Sequence, residues 1–382
     1  MRVMPLYAML YGFTQVAVTR RFDSKANWET IKSIVRSTFF IFFHAYSGSI
    51  LGCTFRNTTG RFYYRLLVLL PGLMSSYMSL LIEKPSRRQA LAFYLLNLAS
   101  EVIVRMLTNK GYLKPMKHGE TLLFAISLSV WYYLIKTHGF GHDPVSSAAK
   151  YLIGREEAKS RAKNDQNKIR AKPDAFISEK ENLMKHLEVW SGGRHSSCPH
   201  NEWTCMFYVV KPIPTRFLTG WLIQTLLKLV ARPMELLKSP AGAVIGAATS
   251  RNSIRFGLFL AALVSSGRLT SCILRRYSDS NDQNWHAIVA GLVAGSSMLI
   301  SPKSTLSMYV MWKAVEQYFL MAAKKGKVPY FNFSVMTIYS FSAAVLLYTF
   351  ALEPSLMRPS YMKFLDRLSE HRLHQLNRMV LD

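Results

Sequence analysis

The chain is short of acidic residues, poor in cysteine, and carries no motif that marks a catalytic or nucleotide-binding site. Its 22 Asp and Glu stand against 48 Lys and Arg, which gives a net charge of +26. No zinc finger, basic–aromatic module, phosphate-binding loop or nucleophile motif accompanies this excess of cations. We therefore expect no nucleic-acid partner, no enzymatic activity and no cofactor.

Charge is also scarce within eight apolar runs that follow one another along the chain. They cover residues 39–53, 66–82, 91–107, 121–135, 256–274, 285–300, 305–323 and 333–352. A helix needs about 20 apolar residues to cross a bilayer, so the shorter runs require a thinned bilayer, snorkelling ends or partial burial against one another. A soluble α-solenoid is the alternative, but its helices need far more polar outer faces. The runs predict a helical, polytopic membrane protein.

The second half of the chain repeats the first. Residues 71–84 (PGLMSSYMSLLIEK) align without a gap with residues 290–303 (AGLVAGSSMLISPK), and residues 91–102 align with 306–317 after a four-residue deletion. A repeat of this length indicates a duplicated structural unit. The predicted fold class is all-α, with two tandem four-helix transmembrane repeats, each preceded by an amphipathic helix and joined by a polar linker.

This repeat divides the chain into five regions. They are an amino-terminal amphipathic or interfacial segment (1–36), a first membrane repeat (37–136), a polar linker with a Cys/His element and an amphipathic helix (137–253), a second membrane repeat (254–353) and a basic amphipathic tail (354–382). If the leading helices near 5–18 and 217–230 lie in the interface, the repeats are parallel; if both span, five crossings make them inverted. Basic loops on both sides leave the orientation open and favour anionic membrane lipids as partners.

Small residues recur one helical turn apart in equivalent runs of the two repeats. Ala287, Gly291 and Gly295 form this pattern in the second repeat, and Gly72 and Ser76 match it in the first. Helices in lipid associate through small residues that let their backbones approach closely. The pattern predicts close helix packing inside the bundle, with the seam of a homodimer as the alternative.

Opposite charges lie inside the third apolar run of each repeat. Glu101 precedes Arg105 by four residues, Lys313 precedes Glu316 by three, and the two glutamates occupy equivalent repeat positions. Both spacings place the partners on one face of a helix. Because an isolated charge in hydrocarbon is costly, these residues must face a partner, a polar cavity or water. Two interpretations stay open, a structural pair and a polar cavity that handles a substrate or partner.

Metal-type side chains are concentrated at the end of the linker, in HSSCPHNEWTC. Within these eleven positions stand His195, Cys198, His200 and Cys205. The spacing matches no common zinc finger, so a zinc site, a Cys198–Cys205 disulfide and reduced structural residues are all open. Cys53 and Cys272 occupy equivalent places in the repeats, where we expect packing residues.

Several stretches, in order, make the chain resemble the transmembrane protein 135 family. They are EKPSRRQALAFYLLNLASEVIVRML, GETLLF, CPHNEWTC, HAIVAGLVAGSSM, KGKVPYF and RPSYMKFL. The resemblance covers nearly the whole chain from about Pro5, and we expect the family's longer cysteine-rich amino-terminal region to be missing. Each repeat is also similar, mainly through its glycine-rich helices, to the channel-forming subunits of the mitochondrial inner-membrane protein translocases.

The family resemblance implies a multi-pass protein of mitochondrial and peroxisomal membranes. It implies roles in the balance between mitochondrial fission and fusion, through the dynamin-related fission machinery, in peroxisome organisation, and in fatty acid and sterol metabolism. It supplies no catalytic residue. The alternative function is a lipid transporter or translocase-like conduit with a polar intramembrane groove, lined by Glu101, Arg105, Lys313 and Glu316.

Overall fold

The computed structural model describes ten stretches of the chain, and they contain helices but no strand. These stretches are residues 23–61, 63–114, 116–141, 144–154, 198, 200, 204–231, 239–278, 283–327 and 334–368. The predicted leading helix at residues 5–18 and the tail beyond residue 368 lie outside them.

Thirteen α-helices and two 3₁₀ turns occur in the described residues. The helices are α1 (Ser24–Thr59), α2 (Tyr64–Ile82), α3 (Pro85–Asn109), α4 (Gly119–His138), α5 (Pro144–Ile153), α6 (Cys205–Val210), α7 (Ile213–Ala231), α8 (Pro240–Ala248), α9 (Arg251–Tyr277), α10 (Asn284–Ser296), α11 (Ser304–Lys324), α12 (Ser334–Leu352) and α13 (Pro359–Leu368). The 3₁₀ turns are Ser297–Leu299 and Pro354–Leu356.

Capping residues explain why the apolar runs become separate helices. Helix α1 ends at Gly60, which has a φ of 62° and donates its N–H to the carbonyl of Arg56 at 3.1 Å. Pro85 occupies the first turn of α3, where its missing N–H costs no helical hydrogen bond. Ser250 caps α9 by accepting the N–H of Ser253 at 3.3 Å.

Five of the described helices, α1, α2, α3, α9 and α12, are long and apolar enough to cross a membrane. Their surfaces carry large exposed apolar side chains. On α1 these form one stripe along the helix, consisting of Trp28, Ile31, Val35, Phe39, Phe42, Tyr46 and Ile50. Exposure of such an apolar stripe to water is unfavourable, whereas contact with lipid tails is not. The helices therefore support a multi-pass membrane protein.

The remaining three predicted crossings correspond to α4, α10 and α11. Helix α10 has 13 residues, so at about 1.5 Å per residue it is shorter than the ~30 Å hydrocarbon core. Helix α11 contains the buried charges of Lys313 and Glu316. Eight crossings and the parallel or inverted arrangement of the repeats stay predictions.

The helices form two compact units. The first contains Met1–Pro115 and Pro329–Asp382, and the second contains Met116–Val328. In the first unit, α12 packs on α2 and α3, and α1 packs on α2. In the second, α4 packs on α10 and α11, and α9 packs on α10. Each unit thus takes three membrane helices from one predicted repeat and the fourth from the other.

This exchange of fourth helices differs from the predicted grouping, which placed α4 in the first repeat and α12 in the second. The close fit of α4 on α10 and of α12 on α2 explains this grouping. A Cβ added at Gly291 of α10 would lie 2.5 Å from the Cα of Ser129 on α4. At the equivalent Gly72 of α2, a Cβ would lie 3.4 Å from the side chain of Leu347 on α12. In both units a glycine at the same repeat position receives the incoming helix, while the duplication itself stays a prediction.

The end of the predicted linker packs within the second unit. The predicted amphipathic helix at residues 217–230 is α7, which lies along α9. The two helices cross at Gly220, where an added Cβ would lie 2.8 Å from the carbonyl oxygen of Phe256. Residues 155–197, which contain the charged centre of the linker, lie outside the described residues.

Candidate functional site

Glu101 is the buried carboxylate at the centre of an ion cluster in the first unit. Only 5% of its surface is exposed. Arg105, one turn later on α3, donates from Nη2 to Glu101 Oε1 at 2.6 Å. Arg358 donates from Nε to the same oxygen at 2.7 Å and also pairs with Oε2. Arg105 additionally donates to the carbonyl of Leu356 at 3.2 Å. The predicted local pair therefore forms, and a second arginine from beyond α12 completes it.

The space beside Glu101 is small. A cavity of about 10 Å³ remains there, room for about one water molecule. Its lining consists of Leu98, Glu101, Val102, Leu346, Leu356, Met357, Arg358 and Tyr361. A fatty acid or sterol does not fit in this volume, so the carboxylate faces arginine rather than a substrate-sized groove.

The second unit contains the other predicted pair. Lys313 Nζ donates to Glu316 Oε2 at 2.6 Å, and both side chains are buried. The next residue, Gln317, accepts the indole N–H of Trp131 at 2.9 Å and donates to the hydroxyl of Ser146 at 3.2 Å. The polar face of α11 thus fastens that helix to α4 and α5.

A second polar cluster in the first unit was not predicted from the sequence. Glu83, at the corner between α2 and α3, is 2% exposed. It accepts a hydrogen bond from Ser37 at 2.9 Å, and Arg87 lies 3.5 Å from its other oxygen. The adjacent Lys84 donates to Ser33 at 2.9 Å. The EKPSRR stretch signals this corner, but its partners on α1 lie about fifty positions away.

The equivalent corner of the second unit is basic. Lys303, which aligns with Lys84 in the repeat, donates to Gln224 at 2.5 Å and lies 4.2 Å from the ring of Phe256. Burial, and secondarily the charge of Lys228, lowers the pKa of Lys303. Lys228 itself donates to Ser250 at 2.5 Å.

The predicted small residues lie at helix contacts inside the units. Gly291 and Gly295 pack against Ser129 and Ala125 of α4, and Ala287 is buried on the same helix. In the first unit, Gly72 packs on α12, and the buried hydroxyl of Ser76 donates to the carbonyl of Gly72 at 2.5 Å. These small-residue surfaces pack against other helices of the same unit, so a homodimer would need a different surface.

Three of the four predicted metal-type side chains come together with a fourth that was expected only to pack. Cys198, His200, Cys205 and Cys272 have ligand atoms that all lie within 4.8 Å of one another. The first three come from the end of the linker, and Cys272 comes from α9. His195 lies outside the described residues. The expectation for Cys272 is therefore corrected, because a long-range contact places its thiol in this cluster.

The cysteines of this cluster are free thiols. The Sγ atoms of Cys198 and Cys205 are 3.7 Å apart, well beyond the ~2.05 Å of a disulfide, so the structure contradicts the disulfide interpretation. Interaction with Cys272, followed by weaker interactions with His200 and Cys205, lowers the pKa of the Cys198 thiol against the opposing effect of burial.

Aromatic and cationic side chains surround the histidine of the cluster. The ring of His200 stacks on Tyr208, with centroids 4.3 Å apart and planes inclined by 13°. The guanidinium of Arg268 lies 4.3 Å from the Tyr208 ring and donates to the carbonyl of Tyr208 at 3.2 Å. Arg268 stands one turn before Cys272 on α9, and its positive charge lies against the Tyr208 ring that stacks on His200.

A comparison with protein families bears on the amino-terminal part of the chain. The family model described as the N-terminal cysteine-rich region of Transmembrane protein 135 matches residues 1–108. The match supports the family resemblance, and with the apolar helices it supports a multi-pass membrane protein. It shows that the expectation of a missing amino-terminal region was wrong. Cys53 is the single cysteine among these residues, so cysteine content did not reveal the region.

No solved structure matches the chain. The similarity of each repeat to the mitochondrial translocase subunits therefore stays a prediction.

Proposed function

We propose that this chain is a non-catalytic, multi-pass protein of mitochondrial and peroxisomal membranes. It regulates the balance between mitochondrial fission and fusion, peroxisome organisation, and fatty acid and sterol metabolism. The family match over residues 1–108 and the five membrane-length helices support this proposal. Its partners are membrane lipids, which the excess of 48 Lys and Arg over 22 Asp and Glu favours, and the dynamin-related fission machinery.

The arrangement of the charges around Glu101 favours this non-catalytic regulator, called the organiser below, over a conduit. Its carboxylate accepts hydrogen bonds from Arg105 and Arg358. The adjoining cavity of about 10 Å³ leaves space for about one water molecule. Charges held this way stabilise a bundle and leave little room for a cargo molecule.

The alternative function, a lipid transporter or translocase-like conduit, needs a groove larger than the cavity of about 10 Å³ beside Glu101. A conduit would have to open by separating Glu101 from both arginines. Breaking a buried pair costs several kcal/mol, about 3–5 before solvent exposure is considered. The organiser requires no such opening.

Localisation and a reconstituted transfer assay together test the proposal. A tagged full-length chain is imaged against mitochondrial and peroxisomal markers, and mitochondrial length is measured with and without the chain. The purified chain is separately placed in vesicles loaded with a fluorescent fatty acid or sterol. We expect organelle localisation, shorter mitochondria when the chain is present, and no transfer above that of empty vesicles.

The two assays separate the candidates. Transfer that depends on the chain, and that Glu101→Gln abolishes while the protein level is unchanged, supports the conduit and contradicts the organiser. A chain found outside both organelles, with unchanged mitochondrial length, contradicts the proposed function as a whole.

A further inference from the structure

We propose that Cys198, His200, Cys205 and Cys272 bind one zinc ion, which fastens the end of the linker to helix α9. This site is independent of the proposed function, because it rests on side chains that the organiser does not use. All four residues lie within the second unit.

The distances fit a single tetrahedral ion. With Zn–S bonds of about 2.3 Å, two thiolates on one tetrahedral zinc lie about 3.8 Å apart. The Sγ atoms of Cys198 and Cys205 are 3.7 Å apart. The widest separation within the four ligand atoms is 4.8 Å, about an ångström beyond a bound tetrahedron, which small side-chain rotations can close.

His200 supplies an independent reason to expect a ligand. Its side chain is fully buried, with 0% of its surface exposed. Its ring interacts with the nearby Cys198 thiol, and neither ring nitrogen makes a well-formed hydrogen bond among the described residues. A buried polar atom without a partner costs about 1–3 kcal/mol. A metal ion bound to one of these nitrogens would remove that penalty for the atom concerned.

The charge around the site suits a thiolate-rich zinc centre. Three thiolates and one Zn²⁺ carry a net charge of −1, which a dry site does not accommodate without a cation nearby. Arg268 provides this cation, 4.3 Å from the ring of Tyr208, which in turn stacks on His200. A stacked layer of this kind also fixes the orientation of the imidazole, as outer-shell groups do at metal sites.

The ligand set identifies the class of metal and its role. Three soft thiolates and one imidazole, which also suits zinc, select zinc over magnesium or calcium. Ligands on the two irons of a binuclear cluster would lie farther apart than ligands that share one ion. Four protein ligands leave no open position for water or substrate, so the zinc is structural rather than catalytic.

Coordination bonds to the zinc ion would connect two segments that are distant in sequence. Cys198, His200 and Cys205 lie within the predicted linker, while Cys272 belongs to a helix that is apolar enough to cross the membrane. Thr204 helps to place the ligands by capping α6, accepting the N–H of Phe207 at 3.1 Å. Zinc would fix where the linker ends on the membrane helix.

Metal analysis of the full-length chain, purified from membranes in mild detergent, tests the site. We expect about one zinc ion per chain, as a closed four-ligand site requires. Cys272→Ser should lose the zinc. Cys53→Ser is the matched control, since Cys53 is exposed on α1 in the first unit and should leave the zinc content unchanged.

Two further measurements keep the test independent of whether a variant folds. In the unaltered chain, a chelator should make Cys272 reactive to maleimide, and added Zn²⁺ but not Mg²⁺ should restore its protection. Co²⁺ in place of zinc should give the intense thiolate-to-metal absorption of a tetrahedral cysteine site. His200→Cys, which keeps four ligands, should bind zinc like the unaltered chain, whereas His200→Ala should bind it more weakly.

Several results would overturn the proposal. One is substoichiometric zinc in the unaltered chain even after incubation with Zn²⁺. Another is a Cys272→Ser variant that keeps the full zinc content. A native Cys198–Cys205 disulfide, detected by intact mass and peptide mapping of chain alkylated before lysis, would show that these thiols serve a redox role instead.

Discussion

In the first unit Glu101 is held by two arginines, one on its own helix and one 257 residues away, whereas in the second unit the equivalent Glu316 pairs with Lys313 on its own helix. The helix pairings of the two units are otherwise alike, because each packs a fourth helix against the second and third. One architecture thus supports two ways of neutralising a buried carboxylate.

The corners between the second and third helices differ in the same way. In the first unit, buried Glu83 accepts a hydrogen bond from Ser37, and Lys84 lies 3.8 Å from Glu29. In the second, Lys303 contacts an amide and an aromatic ring, with a second lysine nearby. The first unit contains ion pairs between residues that are distant in sequence. The second contains the closest glycine contact between α10 and α4 and the Cys/His cluster.

The largest expected effect is from removing the carboxylate of the first unit. Glu101→Leu leaves Arg105 and Arg358 without their shared anion. We expect the free energy of unfolding to fall by about 3 kcal/mol, at the low end for a broken buried pair because Arg105 is 42% exposed. Glu316→Leu should cost less, since it takes the carboxylate from one cation, Lys313, rather than from two. Denaturant unfolding in detergent measures both, and an equal or larger loss for Glu316→Leu would contradict the comparison.

Double substitutions sharpen this contrast. Lys313→Leu with Glu316→Leu removes both charges of the pair and should recover most of the stability that Glu316→Leu loses. Glu101→Leu with Arg105→Leu should not, because Arg358 keeps its charge. Recovery by the second double variant would show that Arg358 does not depend on Glu101.

The next effect concerns the glycines that receive the fourth helices. Gly291→Ala places a Cβ 2.5 Å from the backbone of Ser129, whereas at Gly72 the nearest atom, in the side chain of Leu347, lies 3.4 Å from an added Cβ. We expect Gly291→Ala to destabilise the chain by about 2 kcal/mol through overpacking. Gly72→Ala should not destabilise the chain, since the added methyl makes only ordinary contacts and alanine favours a helix. Thermal unfolding of the two variants side by side checks this, and the reverse order would contradict the packing.

A smaller effect is expected at the acidic corner of the first unit. Glu83→Gln removes the charge that Arg87 and Ser37 face, at a position where only 2% of the side chain is exposed. We expect a loss of about 1 kcal/mol, typical of a hydrogen bond to a charged group weakened to a neutral one. The control is Glu29→Gln, because Glu29 is 59% exposed. A comparable loss in the control would show that burial does not decide the effect.

The smallest effect is a pH dependence of the basic corner. Because burial and the charge of Lys228 lower the pKa of Lys303, the unfolded chain binds this proton more tightly than the folded one. Stability should therefore rise as the pH passes from the lowered pKa toward the ordinary lysine value of 10.5. In Lys303→Gln this rise should shrink, as melting temperatures across the alkaline range would show. Lys84→Gln serves as the control, and an unchanged rise in Lys303→Gln would count against the assignment.

Local features of the fold were predictable from the sequence. The Glu101–Arg105 and Lys313–Glu316 pairs follow from spacings of four and three, which a helix converts into contacts whatever surrounds it. The small residues around Gly291 and Gly72 were predicted to allow close helix packing, and they lie at such contacts. The helical period is enough to predict a contact when both residues lie on one helix.

Long-range features were not predictable in the same way. Arg358 reaches Glu101 only because α12 packs in the first unit, and nothing in its local sequence specifies that choice. Cys272 was predicted to be a packing residue because it matches Cys53 in the repeat, yet the two environments differ: Cys53 is exposed and Cys272 is buried. The signal in the sequence was that three of the four cysteines lie in the second half of the chain.

The most direct test of the account removes all three charges of the Glu101 cluster. Glu101→Leu, Arg105→Leu and Arg358→Leu are combined in one full-length chain, which is then expressed in cells that lack the native protein. Replacing a buried ion cluster by apolar residues is often neutral or stabilising. If these charges are structural, the triple variant should regain both the abundance and the effect on mitochondrial length that Glu101→Leu alone loses. Full abundance without any effect on mitochondria or lipids would contradict the account and show that a functional cavity requires the charges.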